Sequence, residues 1–352
     1  MVGLSDARAV REEDAFDVGA VDAWLSERIA DLRGPPDVRQ FSGGASNLTY
    51  LLRYPERDLI LRRPPPGTKA ASAHDMAREY RVQESLKPAF PYVPEMVALC
   101  QDHSVLGSDF YVMERLYGTI LRKEIPPDLG LDRAATRQLC ESVVDRLVDL
   151  HQVDPTAAGL ADLGKGPGYV ARQVEGWSRR YRDAKTWNVP SFDRVMRWLA
   201  ANQPDDVAAC VIHNDFRLDN VVLAPDDPQR IVGILDWEMA TIGDPLMDLG
   251  GALAYWVESS DGRLMQMSRR QPTNAPGMLT REEVVAHYAA RTGRPIDNWP
   301  FYEIFGLFRL ATIAQQIYHR YHHRQTRNPA FRHFWIAVNY LDRRCRHIIR
   351  GN

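Results

Sequence analysis

The stretch VIHNDFRLDN, residues 211–220, is the feature that most restricts what this chain can fold into. Its His213, Asp215 and Asn220 have the spacing H-x-D-x-x-x-x-N, and Asp236 stands downstream at the end of the apolar segment GILD. Asp and Asn occur in many loops only because they form turns. A catalytic loop uses them differently, because one carboxylate must meet a reacting hydroxyl while other oxygen atoms hold a metal ion. Features outside this stretch distinguish the two interpretations.

Length and composition limit the class of protein. The 352 residues suggest two lobes or domains, and 45% hydrophobic with 26% charged residues is ordinary for a soluble globular chain. The net charge of −2 offers no general attraction for nucleic acid or membranes. No apolar run approaches a membrane span, and the start MVGLSDARAVREEDAFD has no signal-peptide core. The four cysteines are too dispersed for a zinc pair or a disulfide framework, which predicts a reduced, cytoplasmic setting.

The hydrophobic pattern divides the chain into two parts. A first helix is predicted within residues 17–32, followed by strands at 49–54 and 59–62, a helix around 74–87 and a strand around 110–116. Beyond this small sheet the pattern is helical, and it is interrupted by two short strands at 221–223 and 231–235. Residues 260–278, rich in Gly, Pro and polar residues, are predicted to form a mobile loop.

Two segments in the same order carry a resemblance to a known family. HNDFRLDN and ILDWEMATIGDPLMDLG resemble the catalytic and metal-binding loops of protein-kinase-like phosphotransferases, in particular the aminoglycoside phosphotransferase family. FSGGASNLTY, LRRPPPG and REYRVQ extend the resemblance to roughly residues 17–340, and it is closest to the branch fused to acyl-CoA dehydrogenases in animals. The resemblance implies a two-lobed α+β fold with ATP between the lobes. The expected parts are an N-terminal lobe with an antiparallel sheet (1–113), a hinge (114–120) and a mainly helical C-terminal lobe (121–352).

The resemblance also implies roles for the polar residues of the two loops. Asp215 would orient and deprotonate a substrate hydroxyl, and Asn220 and Asp236 would bind Mg²⁺ on the ATP phosphates. Arg217 would offset charge on the transferring phosphoryl group, and His213 would brace the catalytic loop rather than transfer protons.

A second set of residues is expected to bind the nucleotide. Gly43 and Gly44 would let backbone amides approach the phosphates, with a hydroxyl from Ser46. In this branch an arginine, Arg62, takes the place of the strand lysine that grips the α- and β-phosphates, and Glu79 is its expected ion-pair partner; a guanidinium can hold phosphate oxygens bidentately. The hinge residues expected to contact the adenine are Met113, Glu114 and Leu116.

Other polar residues near these loops are interpreted as structural. Asp244 and Asp248 are expected to cap the following helix and to bond to loop backbone. His151, within a predicted helix, is expected to be a packed or capping histidine.

The acceptor molecule is the least determined part of the prediction. Residues 309–352 contain nine arginines against one acid, Asp342, a net charge of +8 without the histidines. This is either a solvated helix face or the wall of a site for an anionic acceptor, such as a hydroxy acid or a hydroxyacyl-CoA. We therefore expect a kinase of a small-molecule alcohol that uses ATP and Mg²⁺ and binds neither nucleic acid nor membranes. The alternatives are a pseudokinase that only binds nucleotide and a kinase of an amino alcohol or aminoglycoside; the oligomeric state stays open.

Overall fold

The computed structural model of the protein describes residues 7–41, 47–65 and 75–351. The strands in these ranges are β1 (Ala7–Arg8), β2 (Asp37–Phe41), β3 (Leu48–Arg53), β4 (Asp58–Arg63), β5 (Met96–Cys100), β6 (Phe110–Glu114), β7 (Thr119–Ile120), β8 (Cys210–Ile212), β9 (Val221–Leu223), β10 (Ile231–Ile234) and β11 (Thr241–Gly243). The helices are α1 (Val18–Ser26), α2 (Met76–Leu86), α3 (His103–Leu106), α4 (Arg133–His151), α5 (Tyr169–Ala184), α6 (Asp193–Ala201), α7 (Pro245–Ala254), α8 (Arg263–Ser268), α9 (Arg281–Thr292), α10 (Trp299–His322) and α11 (Phe334–Gly351).

The chain divides into two compact units. Unit 1 contains the described residues of Met1–Ile120 together with Ala158–Leu160 and Asn220–Ala240. Unit 2 contains Leu121–Ala157, Ala161–Asp219 and the described residues of Thr241–Asn352. The division passes between Asp219 and Asn220, so the H-x-D-x-x-x-x-N motif contributes residues to both units.

Unit 1 is built on a six-stranded antiparallel sheet in the order β1-β2-β3-β4-β6-β5. The alternation of β4 sends Leu59 and Leu61 into one hydrophobic cluster, while Ile60 packs on the other face with Met76 of α2. Arg62 continues the Ile60 face and therefore points toward α2. A second antiparallel sheet, β10-β9-β7, brings the strand that ends before Asp236 into the same unit.

Unit 2 is mainly helical and is organised around α10. This helix packs against α5, α7 and α11, and more than half of its residues are buried. A Cβ atom on Gly306 would lie only 2.1 Å from the carbonyl oxygen of Gly250, so α7 and α10 approach as closely as two glycines allow. The antiparallel pair β8–β11 joins the segment before His213 to the segment before α7.

The antiparallel sheet and the helices confirm the predicted α+β class. The predicted mobile loop at 260–278 contains the short helix α8 and buries the side chains of Arg269, Gln271 and Thr273. All four cysteines are free and buried. Among the described helices, none is both long enough and apolar enough to span a membrane.

Candidate active site

A buried carboxylate fixes the loop that follows β8. The backbone amides of His213 and Asn214 donate to the two oxygens of Asp248 at 2.7 and 2.8 Å. Asn214 has a φ of 63°, a left-handed conformation that Asn tolerates better than most residues. The amide of Asp215 then donates to Nδ1 of His213 at 3.2 Å, and His213 is fully buried. The backbone on both sides of Asn214 is therefore fixed by hydrogen bonds to Asp248 and His213, and the Asp215 side chain projects from this fixed backbone.

Asp248 itself belongs to a buried chain of polar groups. His151 Nε2 lies 3.2 Å from its carboxylate, and His151 Nδ1 lies 2.8 Å from the hydroxyl of Tyr288. Burial alone would raise the pKa of Asp248, but the hydrogen bond and charge of His151 and the His213 amide bring this pKa below its ordinary value. His151 is packed, as expected, and it also connects Tyr288 of α9 to the Asp248 carboxylate that holds the loop of Asp215.

Asp244 caps α7, as predicted. Its Oδ1 accepts from the amides of Leu246 and Met247 at 2.9 and 3.1 Å, and its Oδ2 accepts from the amide of Val207. The cap fixes the first turn of α7, and Asp248 lies one turn further along the same helix.

Replacing Asp248 by Asn is expected to lower the free energy of unfolding by about 3 kcal/mol, because an amide offers one acceptor oxygen where the carboxylate bonds two amides. The pKa of Asp248 is lowered in the folded protein, so its contribution is present above the unfolded pKa of about 3.9 and is lost as the pH falls. Urea denaturation of parent and variant between about pH 3 and 7 measures both effects. Exposed Asp205→Asn is the control, and equal stability of the Asp248 variant and the parent would contradict the role of Asp248.

Arg217 lies among the acids of the same loop. Its Nε is 3.6 Å from Asp215 Oδ1 and 3.1 Å from Asp219 Oδ1, and its guanidinium lies 5.0 Å from the ring centre of Tyr255. Burial raises the pKa of Asp219, which Arg217 opposes. The structure thus places the predicted phosphoryl-binding cation beside the predicted base.

The contact that Gln271 makes with the loop of Asp215 is not predicted by the sequence. Its side-chain oxygen accepts from the amide of Leu218 at 2.8 Å, and the residue is almost fully buried. It lies in the segment that was interpreted as a mobile loop, and no local pattern distinguishes it from other polar loop residues. The contact fixes the second half of the catalytic loop.

Two arginines lie close to the Trp177 ring, and one of them contacts the loop that carries Asp215. Arg309 donates from Nη2 to the carbonyl oxygen of Asn214 at 2.6 Å and lies 5.5 Å from the centre of the Trp177 ring. Arg180, an exposed residue, lies 4.7 Å from the same ring, and partial desolvation lowers its pKa, with further lowering by the charges of Arg179 and Arg309. Within the described part of the chain, neither Arg180 nor Arg309 forms an ion pair with an acid. Two cations therefore share one aromatic ring without a counterion.

Among the hydrogen bonds and ion pairs of the described residues, none joins the other eight arginines of residues 309–352 to this loop. Arg344 and Arg346 pair with acids of unit 2. The remaining six are exposed: Arg320, Arg324, Arg327, Arg332, Arg343 and Arg350. Most of the excess positive charge thus belongs to a solvated surface, while Arg309 donates a hydrogen bond to the loop that carries Asp215.

In unit 1, three carboxylates surround Arg62. Its guanidinium is 2.8 Å from Glu79, 3.4 Å from Asp236 and 3.7 Å from Glu238. Burial opposes the charge of Arg62, but the three carboxylates raise its pKa, so the group stays protonated. The structure brings the predicted pair Arg62–Glu79 together and adds Glu238, which also accepts from Asn47 at 3.1 Å. Glu238 stands two residues after Asp236, in the DWE tripeptide, so its position in the sequence was a usable signal.

The two predicted metal ligands are joined through the backbone. The amide of Leu235 donates to the carbonyl oxygen of Asn220 at 2.8 Å, which brings the segment that carries Asp236 next to Asn220 in unit 1. Asp236 has φ 72° and ψ 59°, so its side chain leaves the strand end in a left-handed turn. Carboxylate and amide oxygens are hard donors that suit Mg²⁺. Among the described residues, no group of three or more His, Cys, Asp or Glu side chains is arranged to hold a metal ion.

The residues predicted to contact the adenine lie on and directly after β6. Met113 is buried on β6, opposite Ile60 of β4, and Leu116 packs against Gly233. The amide of Glu114 donates to the carbonyl oxygen of Glu95 at 2.8 Å, so in this structure the amide is already used. The predicted phosphate-covering residues Gly43, Gly44 and Ser46 lie outside the described residues.

Known proteins similar to this chain share both sequence and fold with it. A family model described as "Phosphotransferase enzyme family" matches residues 37–284. Acyl-CoA dehydrogenase family member 10 from Mus musculus is 36% identical over 322 residues, which are 91% of this chain and 30% of that protein. The chain spans less than half the length of the curated relatives it matches.

Solved structures extend the comparison to the whole fold. A crystal structure from Ralstonia eutropha, named as a candidate aminoglycoside phosphotransferase, is 30% identical with a TM-score of 0.81 and covers 96% of this chain and 99% of its own. A thermostable mutant of aminoglycoside phosphotransferase APH(4)-Ia, in a ternary complex with AMP-PNP and hygromycin B, has a TM-score of 0.56 at 14% identity, covering 95% and 98% of the two chains. The second likeness shows the fold alone, and together they confirm the kinase-like class.

Proposed function

The chain belongs to the phosphotransferase enzyme family, and from this membership we propose that it transfers the γ-phosphoryl group of ATP to a hydroxyl group of a small molecule. The observation that carries the proposal is the loop of Asp215. A buried Asp248 holds its backbone through two amides, and Arg217 stands 3.6 Å from its carboxylate. A carboxylate presented in this way can orient a hydroxyl and accept its proton.

Each predicted residue has a distinct task in this proposal. Asp215 accepts the hydroxyl proton, and Arg217 stabilises charge that develops on the transferring group. Arg62, held by Glu79, binds the α- and β-phosphates, and Asn220 and Asp236 hold Mg²⁺, which when bound neutralises phosphate charge. The use of ATP is supported by the related fold whose complex contains AMP-PNP.

The main alternative is a pseudokinase that binds nucleotide without turnover. The full set of Asp215, Asn220 and Asp236 favours an enzyme, because a module that only binds nucleotide has no need for a base beside the acceptor. Release of ADP that depends on an added alcohol distinguishes the two functions.

We further propose that the acceptor is anionic. Arg309 and Arg180 sit on Trp177 without an acid, and Arg309 contacts the loop that carries Asp215. Cations that lack a counterion favour a carboxylate or a phosphate and disfavour a polycation such as an aminoglycoside. A hydroxy acid or a hydroxyacyl-CoA fits this preference.

The charge of the acceptor is tested by acceptor-stimulated ADP release in a salt series. We expect the apparent affinity for an anionic alcohol to fall as salt rises, because screening shortens to about 8 Å at physiological ionic strength. Arg180→Gln should lower the apparent affinity for the anionic acceptor by roughly tenfold, since a hydrogen bond to a charged group contributes about 1.5–3 kcal/mol.

Exposed Arg332→Gln is the matched control and should leave the affinity unchanged. Turnover of kanamycin-like acceptors with none for any anionic alcohol would refute the acceptor class, while the phosphotransferase itself would stand.

A further inference from the structure

Helix α2 reaches the metal-binding loop through a second arginine. Arg78, in the first turn of α2, donates from Nη1 to the carbonyl oxygen of Glu238 at 3.3 Å and from Nη2 to the carbonyl oxygen of Ala240. Its own amide is bonded to the N-cap Asp75 at 2.9 Å, so the backbone of this turn is fixed. One guanidinium thus spans two carbonyl groups of the chain that follows Asp236.

The two carbonyl groups lie in a short turn and directly after it. Residues Trp237–Met239 form a single 3₁₀ turn, and Ala240 follows it in an extended conformation. A planar guanidinium with its fixed fork of donors can bond two such groups at once, which an ammonium cannot do with the same geometry.

The next residue of α2 reaches the side chains of the same loop. Glu79 pairs with Arg62 at 2.8 Å, and Arg62 in turn contacts the carboxylates of Asp236 and Glu238. Helix α2 therefore contacts the loop in two ways. Arg78 bonds its backbone carbonyl groups, and Glu79 holds Arg62, which contacts its side-chain carboxylates.

The core of the loop is anchored by other contacts. Trp237 is fully buried, donates from Nε1 to Ile234 at 2.8 Å and packs edge-on against Phe90. The amide of Leu235 is bonded to Asn220. Because these contacts hold the loop's interior without Arg78, loss of Arg78 should loosen the turn rather than unfold the unit.

We propose that Arg78 is a positioning residue for the metal-binding loop. By holding the carbonyl groups of Glu238 and Ala240, it fixes the turn that directly follows Asp236, the carboxylate proposed to hold a divalent cation. The presence of a divalent cation rests on the proposed function, whereas the contact between α2 and the loop is seen in the structure. Groups that orient metal ligands without touching the metal typically change metal affinity by about 10–100-fold when they are removed.

The test compares Arg78→Met and Arg78→Lys with the control Arg81→Met, an exposed arginine one turn along α2. Hydrogen exchange of the segment 231–243, measured without ligands, reports on the loop directly. The Mg²⁺ concentration at half-maximal ATP-induced rise in melting temperature reports on the metal site.

Arg78→Met is expected to speed exchange in this segment and to raise the Mg²⁺ requirement by at least about tenfold. Arg78→Lys should be intermediate, because a single ammonium cannot span both carbonyl groups, and Arg81→Met should match the parent in both measurements. Unchanged exchange in Arg78→Met would overturn the contact, and faster exchange with the parent's Mg²⁺ requirement would overturn the positioning role. If the parent itself shows no Mg²⁺-dependent response to ATP, the proposed function and the metal role fail together, while the exchange data still decide whether Arg78 holds the loop.

Discussion

Asp215→Asn is expected to lower acceptor phosphorylation by about 10²–10⁴-fold, the usual contribution of a positioned general base. The amide keeps the shape of the carboxylate but cannot accept the hydroxyl proton. ATP binding should stay close to that of the parent, because Asp215 acts on the acceptor and the predicted nucleotide ligands are other residues. The slow hydrolysis of ATP by water should fall as well, since water would use the same base.

The measurement is steady-state ADP release, with ATP affinity followed separately by the rise in melting temperature. The fold is expected to survive, because the backbone of this loop is held by Asp248 and not by the Asp215 side chain. Asp205→Asn removes a charge from an exposed position of the same unit and should behave like the parent. Equal turnover in Asp215→Asn and the parent would place the base elsewhere.

The sequence predicts those parts of the site that are local. The spacing of His213, Asp215 and Asn220 and the strand that ends before Asp236 are short-range patterns, because strand alternation and loop chemistry act over a few residues. Arg62 and Glu79 are predicted as partners only through the resemblance to a family, yet the structure places them 2.8 Å apart.

The contacts that fix the site come from distant parts of the chain. His151 meets Asp248 across 97 positions and Tyr288 across 137, and Gln271 reaches Leu218 across 53. No periodicity in the sequence encodes such pairs, since they depend on how helices pack around the loop. The excess of arginines near the end of the chain is visible in the sequence, but its location in the fold is not. Composition detects the charge, but only packing reveals that Arg309 is buried beside Asn214 while most of the others are exposed.

Asp236→Ala is expected to abolish the Mg²⁺-dependent part of the ATP-induced rise in melting temperature. A ligand present at 100 times its dissociation constant stabilises a protein by about 2.7 kcal/mol, so the loss is easily measured. Turnover should fall by roughly 10³-fold or more, because coordination of the phosphates contributes several kcal/mol to phosphoryl transfer.

The structure also indicates that Asp236→Ala will fold. Arg62 loses its contact at 3.4 Å but keeps Glu79 at 2.8 Å and Glu238 at 3.7 Å, so no buried cation is left without a carboxylate. Asp226→Ala, which removes a largely exposed carboxylate from the same unit, is the matched control and should keep the full Mg²⁺ effect. If the Mg²⁺-dependent shift persists in Asp236→Ala, Glu238 is the first residue to test next, because it is the other carboxylate of the DWE tripeptide beside Arg62. If a double variant of Asp236 and Glu238 still shows the Mg²⁺-dependent shift, the proposal that this loop binds the metal is wrong.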